Sequence, residues 1–201
     1  VATVRKSLEQ LKQVELFPFF AVTTSTDAGA VADGLLVSHI RYQGFQGNIR
    51  ATTLPVSFDA SALSTILTLP QFSTWRGNGG LIVSDDLGSA AVRDFYSLGG
   101  EIFSPRLVAR DAFLAGNDLL YLGNITTDEF DDTYSATLRI LDAFSQEYRN
   151  DQVFAQLVDA AVTRILTQKL RMYPDPSVQT VVPAEDGLPD IGDASQVSFD
   201  I

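Results

Sequence analysis

Two adjacent carboxylates, Asp85 and Asp86, follow the short apolar run from Gly80 to Ser84. A run of that length, bounded by glycines on one side and acids on the other, reads as a buried strand. A carboxylate just past a strand has two uses. It can accept the first free N–H groups of the following helix as a cap, or it can remain an ionised group at the strand mouth and act as a nucleophile or general base. A pair of acids can divide these roles, one capping while the other points inward. His39, the single histidine of the chain, ends a second apolar run, Asp33 to His39. Histidine in that place is either a satisfied structural side chain or a group that orients or exchanges protons at the strand mouth. A third run, "NDLLYLGN" from Asn117 to Asn124, ends in Gly123 and Asn124. The chain has no cysteine, which removes disulfides, thiolate nucleophiles and cysteine-based zinc sites and leaves the compartment open.

The surrounding pattern supplies the elements that must position these groups. Leu8, Leu11 and Val14 lie at helical spacing between Ser7 and Val14, and Pro18 closes that stretch. Asp59 is placed to cap a helix carrying Leu63, Ile66 and Leu67. "RGNGG" is a turn before the strand that ends at Asp85, and a helix over Gly88 to Tyr96 comes after it. Ser104 and Pro105 start a helix that runs to about Ala115, where Gly116 stops it. Thr126 and Glu129 have capping-box spacing, and the acids of "TTDEFDD" suit a helix N-terminus. The next helix carries Tyr134, Leu138, Leu141 and Tyr148, and the last carries Val158, Ala161, Val162, Ile165 and Leu166. From Pro174 the prolines, the acidic bias and the shortage of apolar residues read as an extended linker, so residues 1–173 form one domain and 174–201 its connection to a following one. Strands alternating with amphipathic helices imply an α/β protein with a parallel sheet, in which function gathers at the carboxyl ends of the strands. Three strands are too few to close a barrel and fit a sector of an eight-stranded one or a small doubly wound sheet.

Composition narrows the function classes. The 201 residues are 45% hydrophobic, enough for a sizeable core. Lys and Arg number 14 against 25 Asp and Glu, a net charge of −11, which disfavours a nucleic-acid partner. No stretch of about 18 apolar residues is present to span a membrane. Asn124-Ile125-Thr126 matches a glycosylation sequon by pattern alone, and Phe72 and Trp75 read as cover for a core edge rather than as a sugar-stacking platform.

The motifs "VELFPFF", "DGLLVSHIRYQG", "ATTLPVSF", "GGLIVSDDLGSAAV" and "ARDAFLAGNDLLYLG", in this order and spacing, resemble glycoside hydrolase family 3, and most of all its bacterial β-N-acetylhexosaminidase branch. The resemblance runs from about Val4 to Tyr173, and the segment around Asp85 is its most specific part. It implies a partial TIM (β/α)8 barrel and a retaining glycosidase acting on terminal β-linked N-acetylglucosamine, with a carbohydrate as substrate and no metal or organic cofactor. It assigns the catalytic nucleophile to Asp85, the first acid of the pair, and leaves Asp86 as support or helix cap. His39 lies where the β-glucosidase branch has a tyrosine, so it is placed in the substrate-binding surroundings of the nucleophile as an orienting group.

The departures matter as much. A retaining mechanism needs a second, proton-transferring group, and the hexosaminidase motifs that carry it, K-H-F-P-G-H-G and D-S-H, are absent from this chain. "VATVRKSLEQL" resembles the family segment directly after D-S-H, so the expectation is a C-terminal half of the catalytic barrel, packing against an N-terminal half that holds the acid/base residue and inactive without it. Two readings on the same fold stay open, a β-glucosidase and a non-catalytic carbohydrate-binding relative. "LIVSDD" also resembles the acidic pocket of receiver domains, but that pocket needs a further carboxylate where the third strand here ends in Gly123 and Asn124.

Overall fold

The structure is a computed structural model and describes residues 1–98, 100–127, 132–175 and 177. Its elements in chain order are β1 (Ala2–Val4), α1 (Leu8–Gln13), α2 (Phe17–Thr23), β2 (Gly34–Val37), β3 (Ile40–Tyr42), α3 (Gln43–Gln46), α4 (Ala60–Leu67), α5 (Pro70–Gly77), β4 (Leu81–Ser84), α6 (Ala90–Tyr96), α7 (Pro105–Ala115), α8 (Thr133–Asn150) and α9 (Gln152–Met172). The chain divides into two units, residues 1–165 and 166–201. In the second, the end of α9 is followed by Tyr173, whose N–H still donates to the Lys169 carbonyl. The expected linker, residues 174–201, lies outside the described residues except for 174, 175 and 177. No helix among the described residues is long and apolar enough to cross a membrane.

The first unit is an α/β structure with parallel strand pairs. β2 pairs with β4 in register from Gly34↔Leu81 to Val37↔Ser84, and β1 pairs with β3 from Ala2↔Ile40 to Val4↔Tyr42. The run expected as a single strand from Asp33 to His39 is thus cut in two. The Ile40 N–H donates to the Ser38 carbonyl at 2.9 Å, a three-residue turn that releases the chain from β4 and sends it toward β1. β1 itself is three residues long, below what periodicity can reveal. The expected third strand forms one parallel bridge, Val83↔Leu119. It runs beside β4 through Asp118 and Leu119 N–H groups donating to Ile82 O, and Ser84 N–H donating to Leu119 O. Beyond that the Ser84 hydroxyl takes the Tyr121 N–H at 2.9 Å, so a side chain replaces the next rung.

In a parallel pair, partners in register share a face. Leu35, Val37 and Ile82 face the helices and pack with Val56, Ala62, Leu63 and Trp75. The fully buried aliphatic side chains of this set, Ile82, Val56 and Leu63, contribute about 1.5–3 kcal/mol each, and Leu35 and Val37 are partly buried. The Trp75 indole N–H donates to Ala32 O, and a Cβ at Gly80 would lie 2.2 Å from that ring, so the turn before β4 must be glycine. Phe72 and Trp75 are therefore core residues, as their sequence context suggests. On the opposite face Leu36, Val83 and Leu119 form a row, with Leu36 53% and Leu119 37% exposed.

Local helix signals are realised where they were read. Asp59 accepts the Ala62 N–H, Ser104 accepts the Leu107 N–H, and Gly116 ends α7 at φ 115°. α8 departs from expectation in two ways. Its N-cap is Asp132, accepting the Ser135 N–H, rather than Thr126, and Glu129 lies outside the described residues. Its buried row is Ala136 and Ile140 with the partly buried Phe144, while Tyr134, Leu138, Leu141 and Tyr148 are exposed. Both rows have helical spacing. The bidentate bond from Arg110 of α7 to Glu147 is compatible only with the first facing inward.

Behind the strands, at the end opposite Asp85, Asp118 accepts the Ile82 N–H at 2.8 Å and pairs with Arg76 of α5 and Arg164 of α9. Its side chain is 1% exposed. Removing a buried carboxylate strands two arginines and one backbone donor, so Asp118→Ala should lower stability by about 3–5 kcal/mol. Chemical denaturation of the variant measures this, and a loss below about 1 kcal/mol, the range of a surface pair, would show that the cluster is not structural.

Candidate active site

The sequence from Ser84 to Gly88 leaves β4 as an extended chain and then turns sharply. The Asp85 N–H donates to Val37 O at 3.2 Å, which continues the β2–β4 ladder one residue past the strand. Asp85 is half-buried, and its Oδ1 accepts the N–H of Asp86 at 2.9 Å. No protein donor among the described residues meets its other oxygen.

Asp86 is engaged differently. Its Oδ1 accepts the Gly88 N–H at 2.8 Å and the Asn124 N–H at 3.3 Å, and its carbonyl accepts the Ser89 N–H at 3.1 Å. The turn after β4 and the turn after the third extended segment are thereby joined through one carboxylate. Their contact is close. A Cβ at Gly88 would lie 2.1 Å from the Asn124 carbonyl carbon, and one at Gly123 would lie 2.6 Å from Asp86 Oδ1. The two acids therefore differ in their bonding. Asp86 does not cap α6 directly, whose N-cap is Ser89, but closes the turn that leads into it.

His39 is 7% exposed and stacks on Phe58 with ring centroids 5.3 Å apart. Its Nε2 is 2.9 Å from the Asp86 carbonyl and its Nδ1 2.8 Å from the Ser57 hydroxyl. A carbonyl can only accept, so the proton sits on Nε2, and in the neutral ring Nδ1 accepts from Ser57. Asn117 Nδ2 in turn donates to Ser57 O at 2.9 Å and Ala112 O at 2.6 Å. His39 and Asp85, expected to face a common mouth, are thus linked through the Asp86 backbone rather than by direct contact of their side chains. Ser57 and Asn117 lie inside the family-like motifs "ATTLPVSF" and "ARDAFLAGNDLLYLG" without being singled out there, Arg93, whose guanidinium reaches Gly88 O and Asn124 O, lies just past "GGLIVSDDLGSAAV", and the glycines at 88 and 123 hint at the crowding they serve. Among the described residues no group of three or more His, Cys, Asp or Glu side chains is disposed to hold a metal ion.

Burial pushes the His39 imidazole below its ordinary value of 6.5, against the opposing pull of the Asp86 carbonyl and the Asp85 and Asp86 charges. The unfolded chain therefore takes up a proton near 6.5 while the folded chain does not, so stability is complete above that pH and falls as pH drops below it. Thermal midpoints recorded across this window should fall more steeply for the unaltered protein than for His39→Gln. Parallel slopes would show that His39 titrates as it does in the unfolded chain.

The family model described as glycosyl hydrolase family 3 N terminal domain matches residues 1–168. No curated protein matches the chain. Among solved structures, a glycoside hydrolase family 3 β-N-acetylglucosaminidase from Paenibacillus sp. str. FPU-7 is similar at TM-score 0.62 and 21% identity, over 98% of this chain and 32% of that one. A β-N-acetylhexosaminidase from Beutenbergia cavernae DSM 12333 is similar at TM-score 0.57 and 22% identity, over 84% of this chain and 41% of that one. A beta-glucoside phosphorylase is similar at TM-score 0.50 and 15% identity, over 83% of this chain and 27% of that one. The chain thus spans about a third of the length of such proteins, and at these identities the likeness is one of fold. With the family model covering the strands, both turns and the acid pair between them, the chain belongs to glycosyl hydrolase family 3, within the family's N-terminal domain.

Proposed function

We propose that Asp85 is the nucleophile of a retaining glycosidase that removes terminal β-linked N-acetylglucosamine. The observation that carries this reading is the unequal use of the two acids. Asp86 is committed to the backbone of two turns, whereas Asp85 has one bond, from its neighbour's N–H, and an oxygen left over. That oxygen attacks the anomeric carbon as the bond to the leaving group breaks. Water then hydrolyses the glycosyl-enzyme, with an acid/base group protonating the leaving group first and deprotonating the water afterwards. Family motifs carry that group on a His–Asp loop that this sequence lacks, so it is proposed to come from a part of the enzyme outside these residues. His39 acts from behind, holding the Asp86 carbonyl one peptide on from the N–H that bonds the nucleophile.

The chain is proposed to be the C-terminal sector of a TIM-like barrel. The row Leu36, Val83 and Leu119, with Leu36 and Leu119 exposed, is the apolar face that the remaining strands would cover, and residues 174–201 are proposed to be a linker. The N-acetylglucosamine specificity rests on the sequence motif "SHI" and on the activities for which the two hexosaminidase-type structures are named. The beta-glucoside phosphorylase keeps β-glucosides as the second reading.

In the intact enzyme Asp85→Ala should lower kcat with an aryl β-N-acetylglucosaminide by at least about 10³-fold, some 4 kcal/mol of transition-state stabilisation. Added azide should restore turnover and yield the α-glycosyl azide, because a small anion enters the space of the missing carboxylate on the face opposite the leaving group. Unchanged turnover, or azide rescue confined to Asp86→Ala, would contradict the assignment. An enzyme that turns over an aryl β-glucoside faster than the N-acetylglucosaminide would favour the second reading.

A further inference from the structure

Gly88 and Asn124 each expose one N–H and one carbonyl where the two turns meet, and two charged side chains satisfy all four groups. Asp86 Oδ1 accepts both N–H groups, at 2.8 Å from Gly88 and 3.3 Å from Asn124. Arg93, in the last turn of α6, donates to both carbonyls, from Nε to Gly88 at 2.9 Å and from Nη2 to Asn124. Nη2 also reaches the Thr126 hydroxyl at 3.4 Å, and the guanidinium lies over the Phe103 ring, 4.6 Å from its centroid. A planar guanidinium held on a ring face and bonded along one edge has little freedom left. A lysine, with one point of charge, cannot span both carbonyls.

We infer that Arg93 is a positioning residue that, with Asp86, clamps the turn after β4 to the turn at Asn124 and so fixes the Asp85 carboxylate for attack. This deepens the proposed function and rests on Asp85 being the nucleophile. The logic is local. Asp85 Oδ1 is bonded to the Asp86 N–H, so the orientation of the carboxylate follows the Asp86 peptide. Asp86 is itself held beyond its Cα, its carbonyl by His39 from behind and its carboxylate by the Gly88 turn in front. The Gly88 turn stays seated on Asn124 only while its carbonyl and that of Asn124 are drawn to one cation. Without Arg93 the two carbonyls lose their shared donor, and the turn can lift.

The test uses the intact enzyme and a 5-fluoro-N-acetylglucosaminyl fluoride, which traps the glycosyl-enzyme, with the trapping rate followed by intact mass and the site by peptide mapping. Arg93→Ala should slow trapping at Asp85 by about 10²-fold, the usual cost of a ~1 Å misplacement, with the half-saturating concentration changed by no more than about twofold because no sugar contact is removed. Added guanidinium ion should restore much of the rate, and methylammonium should not. Arg93→Lys, which keeps the charge and the packing stem, should fold like the unaltered enzyme and remain slow, so the conclusion survives even where the alanine variant is unstable. Trapping in Arg93→Lys at the unaltered rate would overturn the inference, as would rescue of Arg93→Ala by methylammonium as well as by guanidinium. Label absent from Asp85 in the unaltered enzyme is a different failure, since it removes the nucleophile assignment itself.

Discussion

One carboxylate, Asp86, holds two turns against each other, and the arrangement of the site depends on that contact. Its Oδ1 accepts from Gly88 four residues past the end of β4 and from Asn124 beyond the third extended segment. Bonds from backbone N–H groups to an ionised carboxylate are stronger than neutral ones, roughly twofold, and here they act over a surface with no room for a Cβ at Gly88 or Gly123. The second acid of the pair is thus accounted for by structure, and the first is the one with an oxygen to spare.

The same strands are fastened at their other end by a second carboxylate. Asp118 ties the Ile82 N–H to Arg76 and Arg164 and draws α5 and α9 onto the sheet. Between these two fixed points β2 and β4 run in register with a packed helix face and an uncovered opposite face. The two fixed points lie at opposite ends of a strand pair in which each strand is four residues long. Tyr96 illustrates how the layer around the site is tuned. Burial, with the Asp111 carboxylate beside it, pushes its phenol far above the ordinary value, so it serves as a neutral donor to Asp111 and an edge against Phe58 rather than as an acid.

The parts of this structure that were legible in the sequence are those decided within a few residues. Asp59, Ser104 with Pro105, and Gly116 are caps whose partners lie three or four positions away, and each does what its type and place imply. The parts that were not legible depend on distant partners. The break at Ser38–Ile40 comes from a His39 ring docked on residues 18 and 47 positions along. Arg93 meets Asn124 across 31 positions and Arg76 meets Asp118 across 42, so neither arginine stands out in its own segment. In α8 two apolar rows compete at equal spacing, and only the surroundings, Phe113, Phe154 and the Arg110–Glu147 pair, decide that Ile140 and Phe144 turn inward.

The central claim, that Asp85 reacts while Asp86 stays with the backbone, is tested most directly by a crystal structure of the intact enzyme trapped with the fluorinated glycoside. The account predicts continuous density from the anomeric carbon to the Asp85 oxygen that does not accept the Asp86 N–H, with Asp86 still within hydrogen-bond reach of the Gly88 and Asn124 N–H groups. Density joining the sugar to Asp86, or an intermediate on Asp85 with the Gly88 and Asn124 turns separated, would contradict it.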